Sequence, residues 1–332
     1  MFSKTLSMPH TDLWQPNANM QMLQKRAQLL RNIREFFWQR DVLEVDTQAL
    51  SLTSISDPYI EVLTTTAKCL GEEKTYYLQT SPEFAMKRLL ASGSGCIYQL
   101  SKVFRQEEAS KRHGIEFTLL EWYRVGLDDR QLMAEIEEFL VSVSLNPELV
   151  CDYKSYQDAF LTYANLDPFE AELTELQVLA HKCTEYGLEE TDRDALLDLI
   201  FNALIEPKIG QDRPCFIHSY PASQAALAKL KFGFDGIETA KRFELYWKGM
   251  ELANGYHELT NAQEQAKRFD MDNEQRKVQG KPVRALDTNL LAALESGLPN
   301  CAGVAIGVDR LLMVLSQTDD IEKVMPFAKQ RV

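Results

Sequence analysis

The sequence predicts an α+β fold, a central and mostly antiparallel sheet flanked by helices. Alternating apolar patterns, the mark of half-buried strands, occur in segments far apart along the chain, at 97–105, 117–123, 215–220 and 242–252. Helical periods lie around them, which is the arrangement of an α+β domain. Neither GxGxxG nor GxxxxGK[ST] occurs anywhere, so the two commonest phosphate loops are absent and a nucleotide site would not be a Rossmann crevice.

From Gln21 to Trp38, Leu23, Ala27, Leu30, Ile33 and Phe37 recur at three- and four-residue intervals, which predicts an amphipathic helix. Val42–Val45 reads as a short strand after it. The strands 97–105 and 117–123 form a long-looped hairpin, with the polar stretch 106–116 between them. Residues 147–213 read as a helical insertion, with helices at Thr174–Cys183 and Asp194–Ile205. Thr191 and Asp192 are the plausible caps of the second. Strands at Cys215–Tyr220 and Arg242–Leu252, a charged helix at Asn261–Gly280 and a tight strand-to-helix turn at Gly303–Leu315 complete the chain. No internal repeat is found, and residues 1–332 are read as one domain.

Composition narrows the function classes. The chain has 332 residues, 45% apolar and 26% charged, as a soluble globular protein does. Its 36 Lys and Arg against 49 Asp and Glu give a net charge of −13, which disfavours neutralising phosphates over a large nucleic-acid surface. The six cysteines are scattered with no zinc-ligand spacing and read as reduced thiols in a cytoplasmic protein. No stretch reaches the roughly 20 apolar residues that span a bilayer, and the N-terminus has no signal-peptide core.

The hairpin VFRQEEASKRHGIEFTLLEWYRVG (Val103–Gly126) carries the most chemistry. By the two-residue period of a strand, Arg105 and Glu107 project together, and Phe117, Leu119, Glu121 and Tyr123 share one face. Burying such a row is costly unless it meets a ligand or paired charges. The alternative is a solvated sheet face with surface ion pairs.

FRQEE, RH and EFTLLEWY in this segment resemble motif 2 of class II aminoacyl-tRNA synthetases. GVAIGVDRLLMVL (Gly303–Leu315) resembles their motif 3. The run SPEF..KRLL (Ser81–Leu90) and ELANGYHELT (Glu251–Thr260) are most similar to the lysyl subgroup. The resemblance extends from about Leu23 to Leu315 and is closest to the elongation factor P beta-lysine ligase family, a catalytic core alone.

The resemblance implies ATP with Mg2+ as cosubstrate, and a catalytic set of Arg105, Glu251 and Arg310. Arg105 would contact the α-phosphate and the incoming carboxylate, where a planar cationic fork suits the developing charge. Glu107 would read the adenine amino group, Phe117 and Arg310 would sandwich the ring, and His113 would meet the outer phosphates. Gly114, Gly303 and Gly307 would let backbone approach, with Gln106 and Leu252 completing the nucleotide site. Glu251 would hold Mg2+, a hard oxygen ligand for a hard cation. A lysine-type substrate with two ammonium groups calls for carboxylates. By the resemblance, Ser81, Pro82, Glu83, Glu121, Tyr123, Asn254, Glu258 and Ala305 line its pocket. Glu258 and Tyr123 would sit at the side-chain ammonium, Glu83 and Glu121 at the other amine.

The chain departs from the family pattern at several places. Asp41 and Gln48 stand where motif 1, the dimer element, carries a glycine and a proline. Gly114-Ile115 replaces Asn-Pro, and Gln106 replaces Asn. Ala305 replaces the middle glycine of motif 3. Its methyl is expected to crowd the pocket floor and favour a lysine isomer with a displaced amine, such as (R)-β-lysine. Motif 1 begins near Arg34 and only Ser316–Val332 follows motif 3, leaving no room for an anticodon-binding domain. With no such domain the acceptor is expected to be something other than tRNA, and the resemblance implies a lysine side chain of translation elongation factor P as that acceptor and a homodimeric enzyme. Two alternatives are a truncated lysyl-tRNA synthetase paralogue acylating RNA or a small molecule, and a regulatory subunit without catalysis.

Overall fold

The computed structural model describes residues 14–106, 110–233, 236–328 and 331. Helix α1 (Met20–Trp38) starts at Asn19, whose side-chain oxygen accepts the Met22 N–H at 2.8 Å. It lies where the periodicity predicts, but its buried stripe is Leu29, Ile33, Phe36 and Phe37. Ala27 is exposed, and with Leu30, Trp38 and Leu43 it lines a hollow on the outer surface. Asp41, standing where the family has glycine, takes a left-handed φ of 52°, which Asp tolerates better than most residues.

Strands β1 (Leu43–Glu44) and β2 (Leu50–Ser51) precede a hairpin of β3 (Thr64–Cys69) and β4 (Glu72–Leu78). Next come α2 (Glu83–Ala91), β5 (Ile97–Phe104), β6 (Glu116–Val125) and α3 (Asp129–Ser144), the last opened by an Asp128/Gln131 capping box. Residues 147–213 contribute β7 (Asp152–Ser155), α4 (Tyr156–Tyr163), α5 (Leu173–Thr184) and α6 (Arg193–Ile200). Of the two expected caps, Asp192 serves: its carboxylate accepts the Asp194 N–H at 2.9 Å. The helix expected to reach Ile205 ends as a π-helical turn, Phe201–Ile205.

The segment predicted as one strand at 242–252 is a hairpin. After β8 (Cys215–Pro221) and β9 (Leu230–Phe232), β10 (Glu238–Tyr246) turns back into β11 (Glu251–His257). Lys248 and Gly249 both have positive φ, 55° and 64°, and Trp247 and Met250 exchange backbone hydrogen bonds across them. Two left-handed residues between paired strands make a tight hairpin turn, which alternation alone does not reveal. Helices α7 (Ala262–Val278) and α8 (Thr288–Gly297), then β12 (Cys301–Gly307) and α9 (Val308–Leu315), follow. The charged helix α7 is not wholly solvated: Arg276 is fully buried, donating to the Asp57 and Pro282 carbonyls and pairing with Glu61.

The central sheet has nine strands among the described residues, in the order β1-β5-β6-β12-β11-β10-β8-β7, with β9 on β10. Only β1–β5 and β7–β8 are parallel. One face of the sheet packs on α1, α3 and α9. There Leu120, Trp122, Val304 and Ile306 meet Phe37, Phe139 and Leu312, and the Phe37 ring stacks on Tyr98 at 4.3 Å. A second core joins α4, α5 and α6 to β8 through Tyr156, Phe160, Phe201 and Tyr220. The other sheet face, between that second core and α2, α7 and α8, carries the polar side chains.

Candidate active site

Over this face lies a cavity of about 880 Å3. Its floor is set by strand register. Glu121, Ala305, Asn254 and Glu244 are successive cross-strand partners on β6, β12, β11 and β10. The next row is Tyr123, Gly303, Tyr256 and Arg242. Residues two apart on a strand share a face, so both rows project into the cavity. On β6 Phe117, Leu119, Glu121 and Tyr123 line it, as the two-residue period predicts, while Trp122 points into the core and donates to Glu135 at 3.0 Å.

At one end three glutamates converge. Glu121 is 2% exposed and accepts hydrogen bonds from the Tyr123 hydroxyl at 2.7 Å and the Ser81 hydroxyl at 2.8 Å. Burial, and then the charge of Glu83, push its carboxyl up to about 8, against those two hydrogen bonds. Glu258 is pushed up to about 7, first by burial and then by Glu83, with Lys87 acting against both. The Lys87 ammonium lies 2.7 Å from both Glu83 and Glu258. Contacts therefore run across the expected division of the pocket, with Tyr123 on Glu121 and Glu83 joined to Glu258. Gly303 is required here: a Cβ would come within 2.3 Å of the Tyr123 ring and 2.5 Å of Glu258.

At the other end cations gather. The Arg105 guanidinium lies over the Phe117 ring, 5.3 Å from its centre. Arg310, in the first turn of α9, donates to the Glu251 carbonyl at 2.8 Å and to His113 Nε2 at 2.5 Å. That turn is fixed by Asp309, which accepts the Thr118 N–H at 2.7 Å and pairs with Arg26 at 2.5 Å. Burial, and then the charge of Glu244, push the Glu251 carboxyl up to about 7, against Arg310 and Arg105. Glu244 in turn accepts hydrogen bonds from the Tyr220 hydroxyl at 2.6 Å, from Arg242 at 2.5 Å and from the Tyr246 hydroxyl.

The cavity wall brings together Ser81, Pro82, Glu83, Arg105, His113, Gly114, Phe117, Glu121, Tyr123, Glu251, Leu252, Asn254, Glu258, Ala305, Gly307 and Arg310, all expected from the sequence. Gln106 is not part of it; its side chain is exposed and its N–H donates to the Glu61 carbonyl at 2.9 Å. Glu107 lies outside the described residues. Sequence reasoning missed Lys87, Arg242 and Glu244. Lys87 stands four residues after Glu83, the helical spacing for an ion pair, and Glu244 shares strand parity with Arg242; both signals were present.

Comparison with known proteins places the chain in a class. The model of class II tRNA synthetases (D, K and N) matches residues 3–331, and the chain belongs to that family. Its relatives are more specific. The chain is 50% identical over 325 residues to "Elongation factor P--(R)-beta-lysine ligase" of Pseudoalteromonas translucida, covering 95% of this chain and 98% of that protein. Proteins of the same name from Mannheimia succiniciproducens and Vibrio vulnificus are 48% and 47% identical, each over 95% of this chain and 97% of the relative.

Proposed function

We propose that the protein activates (R)-β-lysine with ATP as an aminoacyl-adenylate and transfers the acyl group to a lysine side chain of elongation factor P. The observation that carries this is the polarity of one cavity, carboxylates at one end and guanidinium groups at the other. Acylation of RNA or a small molecule has less support, because the matched relatives are named for elongation factor P.

In this reading Glu83, Glu121 and Glu258 receive the two substrate amines, with Ser81, Pro82, Tyr123 and Asn254 shaping the pocket around them. Arg105 holds the α-phosphate as the substrate carboxylate attacks phosphorus and pyrophosphate leaves. Phe117 and Arg310 clasp the adenine, His113 meets the outer phosphates, and Gly114 and Gly307 allow close backbone approach, beside Leu252. Mg2+ fits Glu251, a buried carboxylate whose charge a hard cation would stabilise, beside a Glu244 already held by Arg242, Tyr220 and Tyr246. The acceptor ε-amine then attacks the mixed anhydride carbonyl and AMP leaves.

Among the described residues no helix is long and apolar enough to cross a membrane. A cytoplasmic, single-domain enzyme is the reading supported by relatives named for a translation factor. Its outer α1 hollow, with Trp38 79% and Leu43 55% exposed, is read as the homodimer contact. The test is intact-mass spectrometry of elongation factor P incubated with the enzyme, Mg-ATP and (R)-β-lysine, beside an incubation offering lysyl tRNA. The expected result is an ATP-dependent gain of one lysyl unit on the protein. Charging of RNA without that gain would overturn the proposal.

A further inference from the structure

We infer that Lys87 is a positioning residue for the substrate amines: its ammonium occupies one oxygen of Glu83 and one of Glu258 and thereby presents the opposite oxygen of each to the ligand. This rests on the reading above that the cavity takes a diamino acid. Lys87 has 1% of its side chain exposed and makes two contacts of 2.7 Å, to Glu83 Oε1 and Glu258 Oε2. Both of those oxygens are sealed from solvent. Both glutamates line the cavity. Glu258 Oε1 lies above Gly303, where a Cβ would approach it to 2.5 Å. Glu83 keeps 18% of its side chain exposed although its Lys87-bound oxygen is closed off.

The two carboxylates come from unrelated parts of the fold. Glu83 opens α2, one helical turn before Lys87. Glu258 follows β11, where its N–H donates to the Cys301 carbonyl at 3.0 Å. A single cation between them fixes their separation, and with it the spacing of two amines that the pocket accepts. Lys87 also fixes their charge. Burial opposes its own ionisation, but Glu258 and Glu83 outweigh burial and hold it charged. Without it, three carboxylates, Glu83, Glu121 and Glu258, would share one buried site, and such groups take up protons rather than all ionise.

The test is amino-acid-dependent ATP–pyrophosphate exchange from pH 6 to 9.5, with (R)-β-lysine and with α-lysine. Lys87→Met is expected to raise KM for the amino acid about five- to fiftyfold at pH 7, the effect of one to two pKa units on a Glu258 that is half ionised there. KM for ATP and kcat at saturation should stay close to wild type, and the amino-acid KM should recover as pH rises. Lys87→Arg keeps the charge and guards against a folding defect in the methionine variant. It is expected to leave the pH profile in place while changing the ratio of KM values for the two isomers. An unmoved amino-acid KM in Lys87→Met, a pH-independent loss of all kinetic parameters with thermal stability, or an unchanged isomer ratio in Lys87→Arg overturns the assignment. Absence of exchange by the wild-type enzyme with both isomers overturns the functional reading and the assignment with it.

Discussion

Ala305 on β12 stands directly across from Asn254 on β11, and its other cross-strand neighbour is Glu121 on β6. Its methyl group therefore rises between a carboxamide and a carboxylate on the cavity floor. One methyl in a fitted pocket discriminates between ligands by about 1–3 kcal/mol. Ala305→Gly is expected to raise the ratio of kcat/KM for α-lysine over (R)-β-lysine by about tenfold, measured by pyrophosphate exchange. An unchanged ratio would remove Ala305 as a determinant of isomer choice.

The pocket carboxyls predict a pH dependence. An ammonium ion binds the ionised form, and Glu121 and Glu258 are pushed up to about 8 and about 7. The kcat/KM for the amino acid should therefore rise from pH 6 to 8, since this parameter reports the free enzyme. Stability should run the other way. A carboxyl whose folded pKa is raised binds protons more tightly when folded, so its contribution is present at low pH and lost as pH rises through 7 to 8. Glu121→Gln should flatten the decline in Tm over this range; a Tm profile parallel to wild type would contradict it.

The guanidinium end predicts losses in ATP binding and in the chemical step. Arg310→Ala removes the donor to the Glu251 carbonyl and to His113. Because this cation clasps the adenine, its loss should raise KM for ATP by about tenfold. Arg105→Lys should also be impaired, because an ammonium cannot reproduce a planar fork. Gln106→Ala, outside the cavity wall, should change KM for ATP by no more than about twofold. Single-turnover adenylate formation checks all three.

Glu251 predicts a metal requirement. Chelation should abolish exchange and Mg2+ should restore it. Glu251→Gln should shift the Mg2+ titration to at least about tenfold higher concentration, since a neutral amide is a poorer ligand for a hard cation. An unshifted titration would place the metal elsewhere.

The outer face of α1 predicts self-association. The wild-type enzyme should sediment at twice the chain mass. Trp38→Asp puts a charge on a side chain that is 79% exposed in the single chain and should yield monomer with little loss of Tm. Monomeric wild type would dispose of the dimer.

The sequence by itself determined the polar face of β6, because a two-residue period assigns Glu121 and Tyr123 to one side whatever they pack against. It likewise determined α1, α7, the strand-to-helix turn before Arg310 and, through matched motifs, sixteen residues that line the cavity. Tertiary structure alone decided what touches what. The β10–β11 turn is hard to see in the sequence because strand-like apolar residues flank Lys248 and Gly249 closely on both sides, Phe243, Leu245 and Trp247 before them and Met250 and Leu252 after. The row Glu121, Ala305, Asn254 and Glu244 exists only through inter-strand register, which brings together residues more than 100 positions apart. Lys87 reads in sequence as one more helix cation. Burial between Glu83 and Glu258 makes it part of the site, because a charge removed from water must find its partners within reach.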